Sequence, residues 1–336
     1  MKTVKTIAPL LIVLLFLAGV FQYFNSAPSL MQDETIYIRD GDTLISAARN
    51  LKKLNAVESE SFFRVLSVFA GKSRIIAGKY RFSRGSSSLE ILLKIMRGDV
   101  LKTRVTIPEG YNLYQIADRL EKKGATNGKA FLKLAFNREY LKSLGISADS
   151  AEGYLFPDTY IFPEESHPRD IIKAMNARLR NVLSGLDLSN MKRMGFDTHR
   201  LLIMASMIEK EARVASERRY ISAVFHNRVR HKMKFDCDPT VRYAVNKFTG
   251  SITRADLAST SPFNTYYRYG YPPTPICSSG RESIIAALNP TDAPYLYFVS
   301  RNDGSHYFSR TLGEHSRAVN YYQRGIKNGF VDQQRL

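Results

Sequence analysis

The sequence has little cysteine for its length. Only two cysteines, Cys237 and Cys277, occur among 336 residues. Neither belongs to a CxxC motif or to a Cys/His cluster, so no zinc or other metal site is indicated. We therefore predict that the protein uses no metal and no cofactor.

Acidic side chains are also scarce relative to basic ones. Lys and Arg total 49 against 31 Asp and Glu, which gives a formal net charge of +18. A charge of this size indicates an acidic partner, and the candidates are nucleic acid, anionic lipid and an anionic polymer. The chain is 44% hydrophobic and long enough for about two folded domains.

The N-terminus contains a long apolar run, IAPLLIVLLFLAGVFQYF, at residues 7–24. Its length approaches the ~18 to 20 residues that cross a bilayer. Lys2 and Lys5 precede it. By the positive-inside rule, residues 1–24 are predicted to form a cytoplasmic tail and a single-pass anchor, with the rest of the chain outside the cytoplasmic membrane. The alternative is a signal peptide cleaved after NSA, before Pro28. Either way the chain is exported, so no nucleic-acid partner is expected.

A repeat follows a short polar linker, residues 25–34. DGDTLISAARNL (40–51) aligns without gaps with EGYNLYQIADRL (109–120). In both copies a strand pattern leads into a glycine turn and an amphipathic helix, although two unrelated strand-turn-helix units would look the same. The first copy resembles the opening of a LysM module. We therefore predict a small LysM-like αβ module over residues 35–104, with an amino-sugar polymer as its ligand class.

The second half of the chain is richer in loops. EGYLFPDTYIFP (152–163) and TSPFNTYYRYGYPPTPICSSG (260–280) combine tyrosine with proline and glycine and show no helical or strand period. They predict either packed surface loops or a sugar-binding cleft, because tyrosine offers a flat apolar face and a polar tip. YLYFVSRNDGSHYFS (295–309) alternates around NDG, which predicts a hairpin. We expect one mixed α/β catalytic domain over residues 105–330.

The stretch LLIMASMIEKEA ends an apolar segment on an acid. From residue 201 to 208 only Ser206 is polar, so a helix here is buried on all sides and Glu209 lies at the edge of a core. Glu211 is ~200° further around the helix and is expected to face outward. A carboxyl group at such an edge suits a general acid. The structural alternatives for Glu209 are a cap or an ion pair with Arg213.

Two further acids near this segment have structural explanations. Ser216 is a predicted helix N-cap, which places Glu217 in the first turn, where the helix dipole favours an acid. Asp238 precedes Pro239 and is suited to bind the backbone amides of a turn. For Glu217 and Asp238 a structural and a catalytic role therefore both stay open.

Six blocks stand in order along the chain: EGYLFPDTY, ASMIEKEA, SERRYISAVFHNRVRHKMKFDCDPTVRYA, SPFNTYYRYGYPPTPI, AALNPTDAPYLYFV and GSHYFSRTLGEHSRAV. In sequence and order they resemble the YceG-like family of endolytic murein lytic transglycosylases, over residues 105–325. The LysM-like segment and the N-terminal anchor match that family as well. The resemblance implies an enzyme in the bacterial inner membrane that cuts peptidoglycan between N-acetylmuramic acid and N-acetylglucosamine, leaving a 1,6-anhydro end.

The resemblance also implies roles for single residues. The catalytic glutamate of the family is the first Glu of the EKE motif, which is Glu209 here. It acts first as acid and then as base, while the C6 hydroxyl of the sugar is the nucleophile. NTY resembles the Asn-x-Tyr element of lysozyme-like transglycosylases, so Asn264 and Tyr266 are expected to position sugar and acid. The expected scaffold residues of the site are Glu217, Asp238 and Thr240.

One stretch departs from the family pattern. The chain has GYPPTPICSSG (270–280) where the family commonly has GLPPGPI followed by Asn-Pro-Gly. This departure puts Cys277 and Ser278 in doubt as site residues. In an exported domain, Cys237 and Cys277 are either two isolated thiols or a disulfide between loops.

Two other functions stay open at this point. One is a hydrolytic muramidase in which Asp238 or Glu217 activates water, and the other is a glycan-binding scaffold without catalysis that is recruited to cell-wall synthases. The expected partners are peptidoglycan strands, the membrane and, as candidates, the penicillin-binding proteins. The expected fold class is α+β, with an N-terminal transmembrane helix, the small LysM-like module and a larger mixed α/β catalytic domain.

Overall fold

The computed structural model describes residues 2–26, 33–39, 41–71, 75–326, 330–332 and 334. The chain divides into two compact units. The first unit consists of Met1–Arg104, Lys123–Thr126 and Ile161–Ser166, and the second of Val105–Lys122, Asn127–Tyr160 and His167–Leu336. The predicted linker, residues 25–34, lies largely outside the described residues. The limits of the functional domains stay a prediction.

The first unit has its own core. Its described elements are α1 (Lys2–Asn25), β1 (Glu34–Ile38), α2 (Leu44–Lys53), α3 (Glu60–Phe69), β2 (Gly78–Phe82) and α4 (Ser88–Arg97). Alternation in β1 buries Ile36 and Ile38, and β1 pairs antiparallel with β2 so that Ile36 lies opposite Tyr80. A capping box between Thr43 and Ser46 starts α2 and satisfies N–H groups that the helix leaves free. The strand, turn and helix predicted for the first repeat copy are therefore present.

Helix α1 carries exposed apolar side chains at every position from Leu10 to Leu17. In the part of the chain that the structure describes, no helix has both the length and the apolar character of a membrane span. The transmembrane helix stays a prediction, and so does the LysM-like identity of the first module.

The remaining elements are mainly helices. In chain order they are β3 (Lys102–Thr106), α5 (Leu113–Lys122), α6 (Gly128–Ala135), α7 (Arg138–Ser143), β4 (Thr159–Pro163), α8 (Pro168–Ser184), α9 (Ser189–Arg193), α10 (Thr198–Glu211), a 3₁₀ turn (Ala215–Glu217), α11 (Arg218–Arg230), α12 (Asp238–Ala244), α13 (Arg254–Leu257), α14 (Arg281–Leu288), β5 (Tyr297–Ser300), β6 (His306–Ser309) and α15 (Leu312–Arg324). The described strands form three two-stranded sheets, β1–β2, β3–β4 and β5–β6. The fold is thus mixed α/β with small sheets, as the coarse fold class predicted.

Helix α10 belongs to the core of the second unit. Every residue from Leu201 to Ile208 is buried, as the apolar run predicts. The helix packs against α11, α12 and α14. The Asp197 side chain caps its start by accepting the N–H of Arg200, and its last residue is Glu211.

Two more elements that the local pattern predicted are confirmed. Strands β5 and β6 pair antiparallel with Phe298 opposite Phe308. Their connection contains Asn302 and Gly304, which have positive φ angles of 66° and 92°, as expected around an NDG turn. In the second repeat copy, β3 is followed by a turn at Gly110 and by α5, and Gly110 has a φ of 77° that favours glycine.

Candidate active site

Glu209 lies in the last turn of α10 and is partly buried. Its Oε2 accepts a hydrogen bond from the backbone N–H of Gly280 at 3.0 Å. Gly280 is the residue that precedes α14, so the carboxylate lies at the N-terminal end of that helix, where the dipole favours a negative charge. Arg213, the alternative ion-pair partner from the sequence, is exposed to solvent. The acid is therefore held by another helix rather than by its own.

A loop around Gly110 lies beside Glu209. The N–H of Gly110 donates to the carbonyl of Ser278 at 2.8 Å, and the N–H of Ser278 donates to the carbonyl of Tyr111 at 2.8 Å. Lys210 Nζ donates to the carbonyl of Gly110 at 3.2 Å. A Cβ at position 110 would lie 3.9 Å from Glu209 Cγ, so glycine allows the loop to approach the acid closely. Ser278 thus shapes the site through its backbone.

A second carboxyl group, that of Glu109, approaches the same place. A Cβ on Gly280 would lie 2.0 Å from Glu109 Oε1 and 2.6 Å from Oε2, so the carboxyl occupies the space that a larger residue would need. The side chain as a whole is exposed. Lost hydration of its carboxyl raises the pKa of Glu109, the charge of Glu209 raises it further, and the guanidinium of Arg218 opposes both effects. The sequence reasoning did not select this residue.

Glu211 does not face outward, which corrects the expectation from helix geometry. Its Oε1 accepts a hydrogen bond from the Cys237 thiol at 3.2 Å. Burial raises the pKa of Glu211 to about 7, and the nearby Asp238 carboxylate adds to this, while Arg228 and Arg213 lower it. The outward prediction failed because the chain before α12 covers that face of α10.

Asp238, Thr240 and Tyr266 lie close together. The Tyr266 hydroxyl donates to Asp238 Oδ1 at 2.7 Å. Burial raises the pKa of Tyr266, and the Asp238 charge raises it further, so the phenol stays protonated. Thr240 Oγ1 donates to the carbonyl of Cys237 at 2.6 Å and lies 2.8 Å from Thr265 Oγ1. These bonds fasten the start of α12 to the loop that carries Tyr266.

Asn264 is completely buried and holds that loop in shape. Its Nδ2 donates to the carbonyls of Leu257 and Ser259 at 2.8 and 2.7 Å. Its Oδ1 accepts the N–H of Tyr266 at 3.0 Å. Both amide hydrogens are therefore used within the protein, and the amide oxygen fixes the backbone of Tyr266.

Glu217 belongs to a different cluster. Its carboxylate accepts the backbone N–H of His306 at 2.8 Å and lies 2.7 Å from Nδ1 of the same residue. Ser216 does not cap α11, because the helix begins at Arg218 after a 3₁₀ turn, Ala215–Glu217. The contact between Glu217 and His306 of β6 thus takes the place of the predicted cap. Glu217 joins two elements of the fold and has no described contact to Glu209.

Another acid that sequence reasoning did not select, Glu152, is completely buried. Its Oε2 accepts the N–H of Leu113 at 3.1 Å and the hydroxyl of Tyr243 at 3.0 Å. Burial raises the pKa of Glu152 to about 7, against the lowering effect of these bonds. In the sequence, Glu152 is only an acid beside a glycine in an aromatic-rich segment, and this pattern does not by itself indicate a buried side chain. Both cysteines are free and buried, so Cys237 and Cys277 are not bridged in this structure.

Comparisons with known proteins agree on one family. The model of the YceG-like family matches residues 36–321. A protein of Bacillus subtilis (strain 168) named endolytic murein transglycosylase is 32% identical over 329 residues, covering 92% of this chain and 91% of the relative. A Streptococcus pneumoniae protein of the same name is 29% identical over 85% of this chain, which spans 57% of that protein. A crystal structure of a YceG-like protein from Listeria monocytogenes is similar with a TM-score of 0.60 and 31% identity, covering 85% of this chain and 99% of that one.

Proposed function

The chain belongs to the YceG-like family, and from this premise we propose that it is a membrane-anchored lytic transglycosylase that cuts within peptidoglycan glycan strands. The observation that carries the proposal is the placement of Glu209 at the end of the buried helix α10, with Oε2 fixed by the N–H of Gly280. Relatives named endolytic murein transglycosylase support the choice of substrate.

In the proposed reaction one side chain moves both protons. Glu209 gives its proton to the glycosidic oxygen as the bond from that oxygen to C1 of N-acetylmuramic acid breaks. The C6 hydroxyl oxygen of the same sugar then bonds to C1, and its proton returns to Glu209. Since Gly280 engages Oε2, we assign Oε1 to the proton transfers. No water is consumed, so the second carboxylate that an ordinary glycosidase uses to activate water or to attack the sugar is not required.

The contacts of Glu217 weigh against its role in the hydrolytic alternative. A muramidase of the inverting type needs a carboxylate free to accept a proton from water. Both carboxylate oxygens of Glu217 are engaged by His306, whereas Asp238 has only Oδ1 engaged, by the Tyr266 hydroxyl at 2.7 Å. We propose instead that Asp238 and Tyr266 form part of a wall that holds the sugar near Glu209, and that the buried residues Thr240 and Asn264 hold this wall in place.

The products distinguish the proposed reaction from its rivals. Defined uncross-linked glycan strands would be digested with the full-length protein in detergent, in water enriched in oxygen-18. A lytic transglycosylase yields 1,6-anhydro ends that weigh one water less than reducing ends and carry no label. Reducing ends containing oxygen-18 would establish a muramidase, and uncut strands would establish a scaffold. Fragment lengths report whether cleavage occurs inside the strand or at its end.

We also propose that residues 7–24 anchor the protein in the bacterial inner membrane, with the N-terminus in the cytoplasm. Exposed apolar side chains at every position from Leu10 to Leu17 support a lipid environment, since soluble surfaces rarely expose such a run. The protein should stay in the membrane after carbonate extraction, and a protease added to spheroplasts, whose outer membrane has been opened, should reach the second unit. Release by carbonate, or an N-terminus that begins near Pro28 in the mature protein, would contradict the anchor.

The LysM-like identity of the first module and the penicillin-binding proteins as partners stay predictions.

A further inference from the structure

Two carboxyl groups flank one glycine at the start of α14. Glu209 Oε2 lies 3.0 Å from the N atom of Gly280, while Glu109 Oε1 lies 2.0 Å from the place where a Cβ of Gly280 would be. The two acids come from segments 100 residues apart in the sequence, and the bonds between Gly110 and Ser278 hold those segments together. The sequence-based interpretation gave Glu109 no role.

We propose that Glu109 is a second carboxyl group of the active site, a positioning residue that shares one proton with Glu209. Like charges near one another disfavour the state in which both groups are ionised, and burial together with the charge of Glu209 raises the pKa of Glu109. This proposal rests on the proposed function, in which the acid must enter the reaction with its proton in place.

The charges around the pair decide how strongly the two acids interact. From α14, Glu282 adds a third negative charge, but it lies beside Arg281 at 3.3 Å. From α11, Arg218 favours the ionised form of Glu109, although its Nε also donates to Ser283 Oγ at 3.2 Å.

The groups on the other sides of the pair add little negative charge. From α10, the Lys210 ammonium group is held by the carbonyl of Gly110 at 3.2 Å. Burial raises the pKa of the Cys277 thiol well above its ordinary value, so this neighbour of Glu209 carries no charge near neutral pH. Glu109 is therefore the acid that approaches Glu209 at Gly280. It has no described salt bridge of its own.

The test is the pH dependence of strand cleavage by the full-length Glu109→Gln protein. Gln keeps the size of the side chain and removes its charge, so the remaining acid should lose its proton at a lower pH. The descending limb of the rate, measured as anhydro ends formed per minute, should move down by roughly half to one pH unit. Cleavage should be retained on the acidic side and lost first at alkaline pH. A profile that overlays that of the wild type, or a fall by the same factor at every pH, would overturn the proposal.

Two further variants distinguish charge from structure. Glu282→Gln is the matched control, because it removes a negative charge from the start of α14 at a residue that lies beside Arg281, and it should shift the limb less. Gly280→Ala should shift it in the same direction as Glu109→Gln, since the new Cβ displaces the Glu109 carboxyl while a φ of −70° suits alanine. It should add no further shift when combined with Glu109→Gln. An equal shift in Glu282→Gln, or a fully additive double variant, would contradict the pair.

The outcome separates this proposal from the proposed function. If the wild type forms no anhydro ends, or Glu209→Gln cuts as well as the wild type, the proposed function fails. If the wild type forms anhydro ends, Glu209→Gln does not cut and the Glu109→Gln profile is unshifted, only the role of Glu109 fails.

Discussion

Replacement of Glu209 by Gln is expected to slow strand cleavage by roughly 10²- to 10⁴-fold, which is the usual contribution of general acid–base catalysis. Gln has the shape of Glu, and its amide oxygen can still accept the N–H of Gly280 that lies 3.0 Å from Oε2 in the wild type. It has no proton to give to the glycosidic oxygen. The measurement is the rate at which anhydro ends form from defined strands, with thermal melting as the check that the variant is folded.

The matched control is Glu211→Gln, which removes a carboxyl group from the same helix two residues later. We expect this variant to keep most of the wild-type rate, because the Glu211 carboxyl is turned toward the Cys237 thiol at 3.2 Å. Glu211 is an informative control because burial raises its pKa to about 7, so it is a second carboxyl group of α10 that could act as an acid. Loss of cleavage in Glu211→Gln with retention in Glu209→Gln would assign the acid to Glu211.

Local patterns predicted the elements that depend on neighbouring residues. The apolar run of residues 201–208 predicted a helix buried on all sides, and α10 is such a helix. The alternation around NDG predicted the β5–β6 hairpin. In each case the signal spans fewer than about 15 residues, a range within which helix and strand periods are readable.

Contacts between distant segments could not be predicted in this way. Helix geometry predicted that Glu211 faces solvent, but a segment 26 residues later covers it with Cys237. Capping preferences pointed to Ser216, but the partner that decides the local structure is His306, 89 residues from Glu217. The family resemblance selected Glu209 by its motif and gave no reason to select Glu109, because the proximity of that residue to Gly280 exists only in the folded chain.

The positions of Asp238 and Tyr266 depend on a buried arginine that the sequence analysis did not single out. Arg228 in α11 is 7% exposed, and its Nε donates to the carbonyl of Leu296 at 2.7 Å. Its Nη1 donates to the carbonyls of Lys234 and Phe235 at 3.1 and 2.7 Å, and to Asp236 Oδ2 at 3.0 Å. These bonds fix the three residues before Cys237 and thereby the start of α12, where Asp238 lies.

Arg228→Met is therefore expected to destabilise the second unit by about 2–4 kcal/mol, since buried carbonyl groups that lose their donor cost about 1–3 kcal/mol each, whereas the exposed Asp236 carboxylate adds little. Met fills most of the volume, but it leaves three carbonyl groups and the Asp236 carboxylate without their donor. The melting temperature should fall by roughly 10 °C for a unit of this size.

Because the protein has two units, a single melting curve does not locate the loss, and hydrogen exchange by mass spectrometry is the better measurement. Peptides covering residues 234–240 should exchange faster in Arg228→Met, and strand cleavage should fall as the Asp238–Tyr266 contact loosens. Arg213→Met is the control, since Arg213 is exposed and an exposed substitution changes stability by about 0.5 kcal/mol or less. Equal exchange of these peptides in both variants would mean that Arg228 does not hold the start of α12. In that case, Asp238 is placed by its bond to Tyr266 and by the contacts of Thr240.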